Sequence, residues 1–155
     1  MSKAKIAAGV LALALPLVAT FEGLVLRPYR DPIGKLTWCY GETRDRPSEY
    51  TPASCQALLV NSLQKHGEQI VPCLPETLPA NVLASVLSFA YNVGASAFCG
   101  STMARKLKAG DVSGACAELS RWTYAGGKQL PGLIKRRAAE RAMCEGRPIS
   151  LGAKG

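Results

Sequence analysis

Residues Ile6–Phe21 form 16 consecutive positions without a charge, and the first charged residue after them is Glu22. Such a run is too long for an ordinary strand and short of the about 20 residues that span a bilayer. The length predicts a helix that must be covered on at least one face, with a carboxylate fixed at its C-terminal end. Five alanines, Gly9 and Pro16 make it only weakly hydrophobic, so a protein core and a membrane are both open to it. Lys3 and Lys5 supply the charged start of an export signal. Cleavage fits poorly: a cut after Ala19 puts Leu17 where a small residue is wanted, and a cut after Ala14 leaves too short an apolar core. Retention is the more economical expectation, with residues 1–21 exported, held for a time in the inner membrane with the lysines inside, and then withdrawn from it. An ordinary buried helix is the alternative.

Glu22 is followed by Asp31 in the turn-rich Asp31-Pro32-Ile33-Gly34, and by Thr37 on the strand leaving that turn. At the end of a helix, beside apolar Phe21 and Leu24, a carboxyl group is pushed toward its protonated form by the helix dipole and by desolvation. A carboxylate opening a turn stays ionised among water and turn amides. One protonated and one ionised carboxyl group are what hydrolysis of a glycosidic bond requires. Thr37 can share a bound water with Asp31 across the hairpin.

Six cysteines, at 39, 55, 73, 99, 116 and 144, include no Cys-x-x-Cys pair, and the single histidine, His66, is seven residues from the nearest of them. That spacing excludes the usual zinc sites and predicts no metal. An even count behind an apolar N-terminus points to disulfides formed outside the cytosol. Six cysteines allow 15 connectivities; joining neighbours along the chain gives Cys39–Cys55, Cys73–Cys99 and Cys116–Cys144. The net charge of +8 calls for an anionic partner. Only Lys135-Arg136-Arg137 is clustered, so nucleic acid is not the expected one.

The remaining pattern predicts an α+β, mostly helical fold: a small N-terminal β-hairpin sheet followed by a helical body. Val25–Arg30 and Lys35–Tyr40 suit the hairpin, with Pro28 marking an edge strand. Thr51-Pro52 opens a helix to about Gly67. Pro79 starts another over 80–92, with Leu83, Val86, Leu87, Ala90 and Tyr91 on one face and Gly94 ending it. Ser101 and Asp111 cap two more helices, the second carrying Cys116, Leu119 and Trp122 on one side. A Gly126-Gly127 loop precedes a last helix, 131–145. Trp122 reads as core, His66 as an exposed helix residue, and residues 147–155 as a flexible tail. Arg136 or Arg137 can pair with Glu22 or Glu140, but a solvated basic face is the expected state of both.

Glu22-x8-Asp31-x5-Thr37 after a helix resembles the phage-type lysozymes, muramidases that cut peptidoglycan. Phe21-Glu22-Gly23, Tyr29-x-Asp31, Ser88-Phe89-Ala90-Tyr91-Asn92-Val93-Gly94, Arg121-Trp122-Thr123-Tyr124-Ala125-Gly126-Gly127 and Gly132-Leu133-Ile134-Lys135-Arg136-Arg137-x-x-Glu140 recur in the family's order. The N-terminus is similar to that of the signal-anchor-release endolysins. The resemblance implies a lysozyme-like domain over 22–146, with Glu22 as acid and Asp31 with Thr37 holding the hydrolytic water. It implies hydrolysis with inversion of the β-1,4 bond between N-acetylmuramic acid and N-acetylglucosamine, causing host lysis. It also implies no cofactor, a monomer in the periplasm, export machinery and the inner membrane as transient partners, and Tyr91 and Asn92 bordering the substrate groove. Core packing for Tyr91 and a capping role for Asn92 remain the alternative. Many members carry Gly-x-Gly-His after the threonine; here Trp38-Cys39-Tyr40-Gly41-Glu42 follows, so no family role transfers to Glu42. Two other readings stay open: a non-catalytic membrane-active or wall-binding protein, and a lytic transglycosylase.

Overall fold

A computed structural model describes residues 5–149 and 151. The uncharged run becomes helix α1, Ala8–Glu22. Ile6, Val10, Ala14, Leu17 and Val18 are buried at helical spacing and face α2 (Pro52–Ile70), α3 (Ala80–Val93) and α7 (Pro131–Cys144). Each large apolar side chain so covered contributes about 1.5–3 kcal/mol relative to exposure. Pro16 is tolerated inside α1 because it lies on the exposed face. Gly23, at φ 75°, ends the helix with its N–H on the Ala19 carbonyl, which makes Glu22 its last residue. Among the described residues, no helix is long and apolar enough to cross a membrane.

The chain then forms the antiparallel hairpin of β1 (Val25–Arg30) and β2 (Leu36–Cys39), pairing Tyr29 with Thr37 and Arg30 with Leu36. The register slips between Val25 and Tyr29, the stretch holding Pro28, which cannot donate to the ladder. Beyond β2 the backbone folds back on itself: Trp38 and Glu42 exchange both N–H···O bonds, at 3.0 and 2.8 Å, around Cys39 and Gly41 at φ 57° and 77°. The Cys39–Cys55 disulfide ties this turn to α2.

Thr51 caps α2 through Ser54 N–H, and the helix runs one turn beyond the expected end at Gly67. Helix α3 is buried from Ala84 through Ala90 without interruption, so its burial extends beyond the expected face: Val86, Leu87 and Ala90 are in the core with Leu83 and Tyr91 half-buried against it, and other elements cover the remaining sides. Short helices α4 (Ala95–Cys99), α5 (Thr102–Lys108, capped by Ser101) and α6 (Val112–Glu118, capped by Asp111) follow. The Gly126-Gly127 loop is the turn of a small second hairpin, β3 (Tyr124–Ala125) with β4 (Lys128–Gln129). Disulfides Cys73–Cys99 and Cys116–Cys144 staple the helical body. Trp122 packs edge-on to Phe89 at 5.1 Å between ring centroids. Of residues 147–155, Ile149 and Leu151 pack against the core, while 150 and 152–155 lie outside the described residues.

Candidate active site

Glu22 sits between the turn that follows β2 and helix α7. Its carboxylate lies against Gly41, where even a Cβ would come within 3.4 Å of Oε1. On the other side Arg136 donates Nη1–H to Oε2 at 2.6 Å. The expected solvated basic face is therefore incorrect: Arg136 and Arg137 are 4% and 1% exposed, inside the protein rather than on it. Burying two guanidinium groups requires full compensation, and the chain supplies it. Glu140, wholly buried, accepts from Arg136 Nε at 3.3 Å, from Arg137 Nη1, and from Ser88 Oγ at 2.6 Å. Arg136 also donates to the Ser88 carbonyl at 3.1 Å, and Arg137 to the Trp122 carbonyl at 2.9 Å and to Asn92 Oδ1. Glu22, Arg136, Glu140 and Arg137 form one charge-balanced chain from the cleft into the core.

Two cavities open on Glu22. The first, about 460 Å³, is lined by Glu22, Glu42, Ser62, His66 and Tyr91 with the Thr43–Asp45 loop. The second, about 350 Å³, is bordered by Phe21, Asn92, Leu130, Leu133 and Arg136 as well as Glu22. Tyr91 and Asn92 thus face different cavities although adjacent in sequence. The Tyr91 phenol is pushed well above the usual tyrosine range, first by burial and then by the charges of Glu22 and Glu42, with Arg136 acting in the opposite direction. It stays protonated and available as a donor. His66 is not the exposed residue expected of it: it is half-buried, with its ring tilted against Tyr91 at 4.8 Å.

Asp31 and Thr37 line neither cavity. They are tied to each other through Lys35, whose N–H donates to Asp31 Oδ1 at 2.8 Å and whose carbonyl accepts from Thr37 Oγ1 at 3.0 Å. A second amide, Ile33 N–H at 3.0 Å, completes the cradle of the Asp31 carboxylate. Sequence reasoning missed Glu42 and His66 as cavity residues. The signals for them were the departure at Gly41-Glu42 and the placement of Ser62 and His66 four residues apart, on one face of α2.

The phage lysozyme family model matches residues 19–140. The SAR-endolysin of Bacteriophage PS119 is 44% identical over 150 residues, covering 91% of this chain and 90% of that protein. The SAR-endolysin of Enterobacteria phage PA-2 is 41% identical over 150 residues, covering 91% of each. A crystal structure of a P22 lysozyme mutant superposes with a TM-score of 0.79 at 27% identity, covering 92% of this chain and 99% of that one. The muramidase domain of SpmX from Asticaccaulis excentricus gives a TM-score of 0.76 at 28% identity over 90% and 97% of the two chains. The match spans the helix end carrying Glu22, the hairpin and the buried arginine network alike, and the chain belongs to the phage lysozyme family as an endolysin.

Proposed function

We propose that this endolysin, a muramidase acting on peptidoglycan, hydrolyses the β-1,4 bond following N-acetylmuramic acid with Glu22 as the proton donor and Asp31 with Thr37 as the holders of water. Glu22 gives its proton to the leaving glycosidic oxygen as the C1–O bond breaks. A water on the opposite face of the sugar attacks C1 while Asp31 takes its proton, and the anomeric centre inverts. The observation that carries this reading is the placement of Glu22 at the end of α1, open to both cavities. The link of Asp31 and Thr37 through Lys35 supports their acting as a unit. Tyr91 and Asn92 border the strand on either side of the acid.

Residues 1–21 are the signal-anchor-release segment in this reading. The chain is exported, tethered in the inner membrane through residues 6–21, and released to the periplasm as α1 packs onto the domain. It acts as a monomer and binds no nucleic acid. The weak hydrophobicity of the run and its burial in the described fold support two competing locations for one segment.

The test is release of reducing ends from purified peptidoglycan by wild type and Glu22→Gln, with the product anomer followed by proton NMR in the first minutes. A loss of about 10²-fold or more is expected from removing a general acid, with the α-anomer formed first. A folded Glu22→Gln variant keeping a tenth of wild-type turnover overturns the assignment, and a β-anomer formed first overturns inversion.

A further inference from the structure

Three carboxylates line the larger cavity, Glu22, Glu42 and Asp45. Glu22 has Arg136 at 2.6 Å and Asp45 has Lys65 at 3.3 Å. Glu42 has no cationic partner among the described residues; only neutral donors hold it, Ser62 Oγ at 2.8 Å and Thr43 N–H at 3.3 Å. Both oxygens are thereby fixed in direction while each keeps a free lone pair. The backbone is fixed as well, through the paired bonds with Trp38. Around it stand Tyr91 and Glu22 from α3 and α1, Lys65 and His66 from α2, and Arg44 and Asp45 from its own loop. Lys65 is engaged by Asp45 and the His66 Nδ1 contacts the Ser62 carbonyl at 2.8 Å. Arg44, the cavity's remaining cation, makes no ion pair with Glu42, so a half-buried carboxylate held by neutral donors stands in a cleft without a cation at ion-pair distance.

We propose that Glu42 is a specificity-determining residue that binds a primary ammonium group on the peptidoglycan strand lying in this cavity. The inference rests on the muramidase reading of the same cleft. Two parts of the polymer carry that chemistry: a hexosamine lacking its N-acetyl group, and the side-chain amine of a diamino acid in the peptide stem. A carboxylate pre-oriented by Ser62 and Thr43 forms a charge-assisted bond to either without reorganisation, whereas an amide N–H or a hydroxyl at that point leaves its charge unbalanced.

The probe is sonicated peptidoglycan in three forms: native, with all free amines acetylated by acetic anhydride, and enzymatically de-N-acetylated on the glycan. A stem amine as ligand predicts that wild type has a KM about tenfold lower on native than on acetylated sheets, the low end for a hydrogen bond to a charged group. A sugar ammonium predicts the same factor between de-N-acetylated and native sheets. In Glu42→Gln either preference should collapse toward one, while Glu42→Asp should retain part of it; a role limited to holding the fold would lower rates on all three sheets together. Wild type treating the three sheets alike, or Glu42→Gln keeping the wild-type preference, overturns the proposal. A wild-type protein that releases no reducing ends from any sheet overturns the muramidase reading instead, and this inference with it.

Discussion

Arg136 and Glu22 stand 114 residues apart in sequence and 2.6 Å apart in the fold. The contact ties the end of α1 to α7 and gives Oε2 of the carboxylate a cationic partner. Arg136 serves Glu140 and the Ser88 carbonyl with its other nitrogens, so each of the three guanidinium nitrogens is engaged.

Arg136→Met removes the cation while keeping much of the volume. It leaves Glu140 to Arg137 alone and Glu22 without a lateral partner. Breaking a buried pair on one side costs about 3–5 kcal/mol, and turnover should fall at least about tenfold below the melting range as Glu22 gains freedom. Arg136→Lys restores the charge but not the fork and should fall between. Urea unfolding measures the first effect and reducing-end release the second; full turnover in a folded Met variant would show that Glu22 needs no positioning from α7.

What could be read from the chain before its fold was local. Thr51, Ser101 and Asp111 each cap the amide three residues on, and the Asp31–Gly34 turn closes on itself, so the residues alone announce them. The His66–Tyr91 contact joins elements far apart in the chain, and no local pattern encodes it; the Glu22–Arg136 pair is among the pairings the residues allow, but nothing local selects it over a solvated face. The Lys135-Arg136-Arg137 cluster misled for a related reason. Charge favours water unless a buried acid awaits, and the acid, Glu140, was visible only as an i,i+4 neighbour that reads equally well on a surface. Glu42 stood out as a departure from a pattern, yet its place in the cavity depends on the Trp38–Glu42 backbone pairing that a tight turn at Cys39 permits.

Tyr91 makes stability depend on pH at the alkaline end. Its folded pKa is raised above the ordinary 10.0 by burial and by Glu22 and Glu42. Below 10 the phenol is neutral in both states and its contribution is fully present. Above 10 the unfolded chain ionises first, and stability is lost progressively as pH rises toward the folded value. Urea midpoints at pH 8 and 11 should therefore differ more for wild type than for Tyr91→Phe. Equal alkaline loss in the two proteins would assign the effect elsewhere.

Gly67 of α2 lies against Ile6, two residues before α1 begins. A Cβ there would lie 2.2 Å from Ile6 Cγ1 and 2.8 Å from Cδ1, so Gly67→Ala forces Ile6 out of a site where it is 6% exposed. Alanine gains about 0.5–1 kcal/mol as a helix former, against about 1–3 kcal/mol for overpacking, and the second should win. The loss should be uneven. Hydrogen exchange is expected to accelerate in the first turns of α1 while the amides of α3 keep their protection; uniform acceleration would mean that α1 is not separately anchored at this point.

The fold also dictates how the proposed membrane tether can be tested cleanly. Leucine in place of alanine or glycine favours the bilayer by about 0.5 kcal/mol or more per position. Ala14 is wholly buried in the packed helix, so leucine there would damage the folded enzyme and confuse the outcome. Gly9 and Ala12 are exposed, and nothing lies within 4 Å of a Cβ at Gly9. Gly9→Leu with Ala12→Leu therefore shifts the balance toward the membrane by about 1 kcal/mol or more while leaving the packed state intact. The purified double variant should match wild type in turnover and in urea midpoint. In cells it should remain longer in the membrane fraction and lyse later, and collapse of the membrane potential should shorten the delay. Lysis on the wild-type schedule, or a mature protein lacking residues 1–19, would make the segment an ordinary signal or core helix and remove the tether from the account.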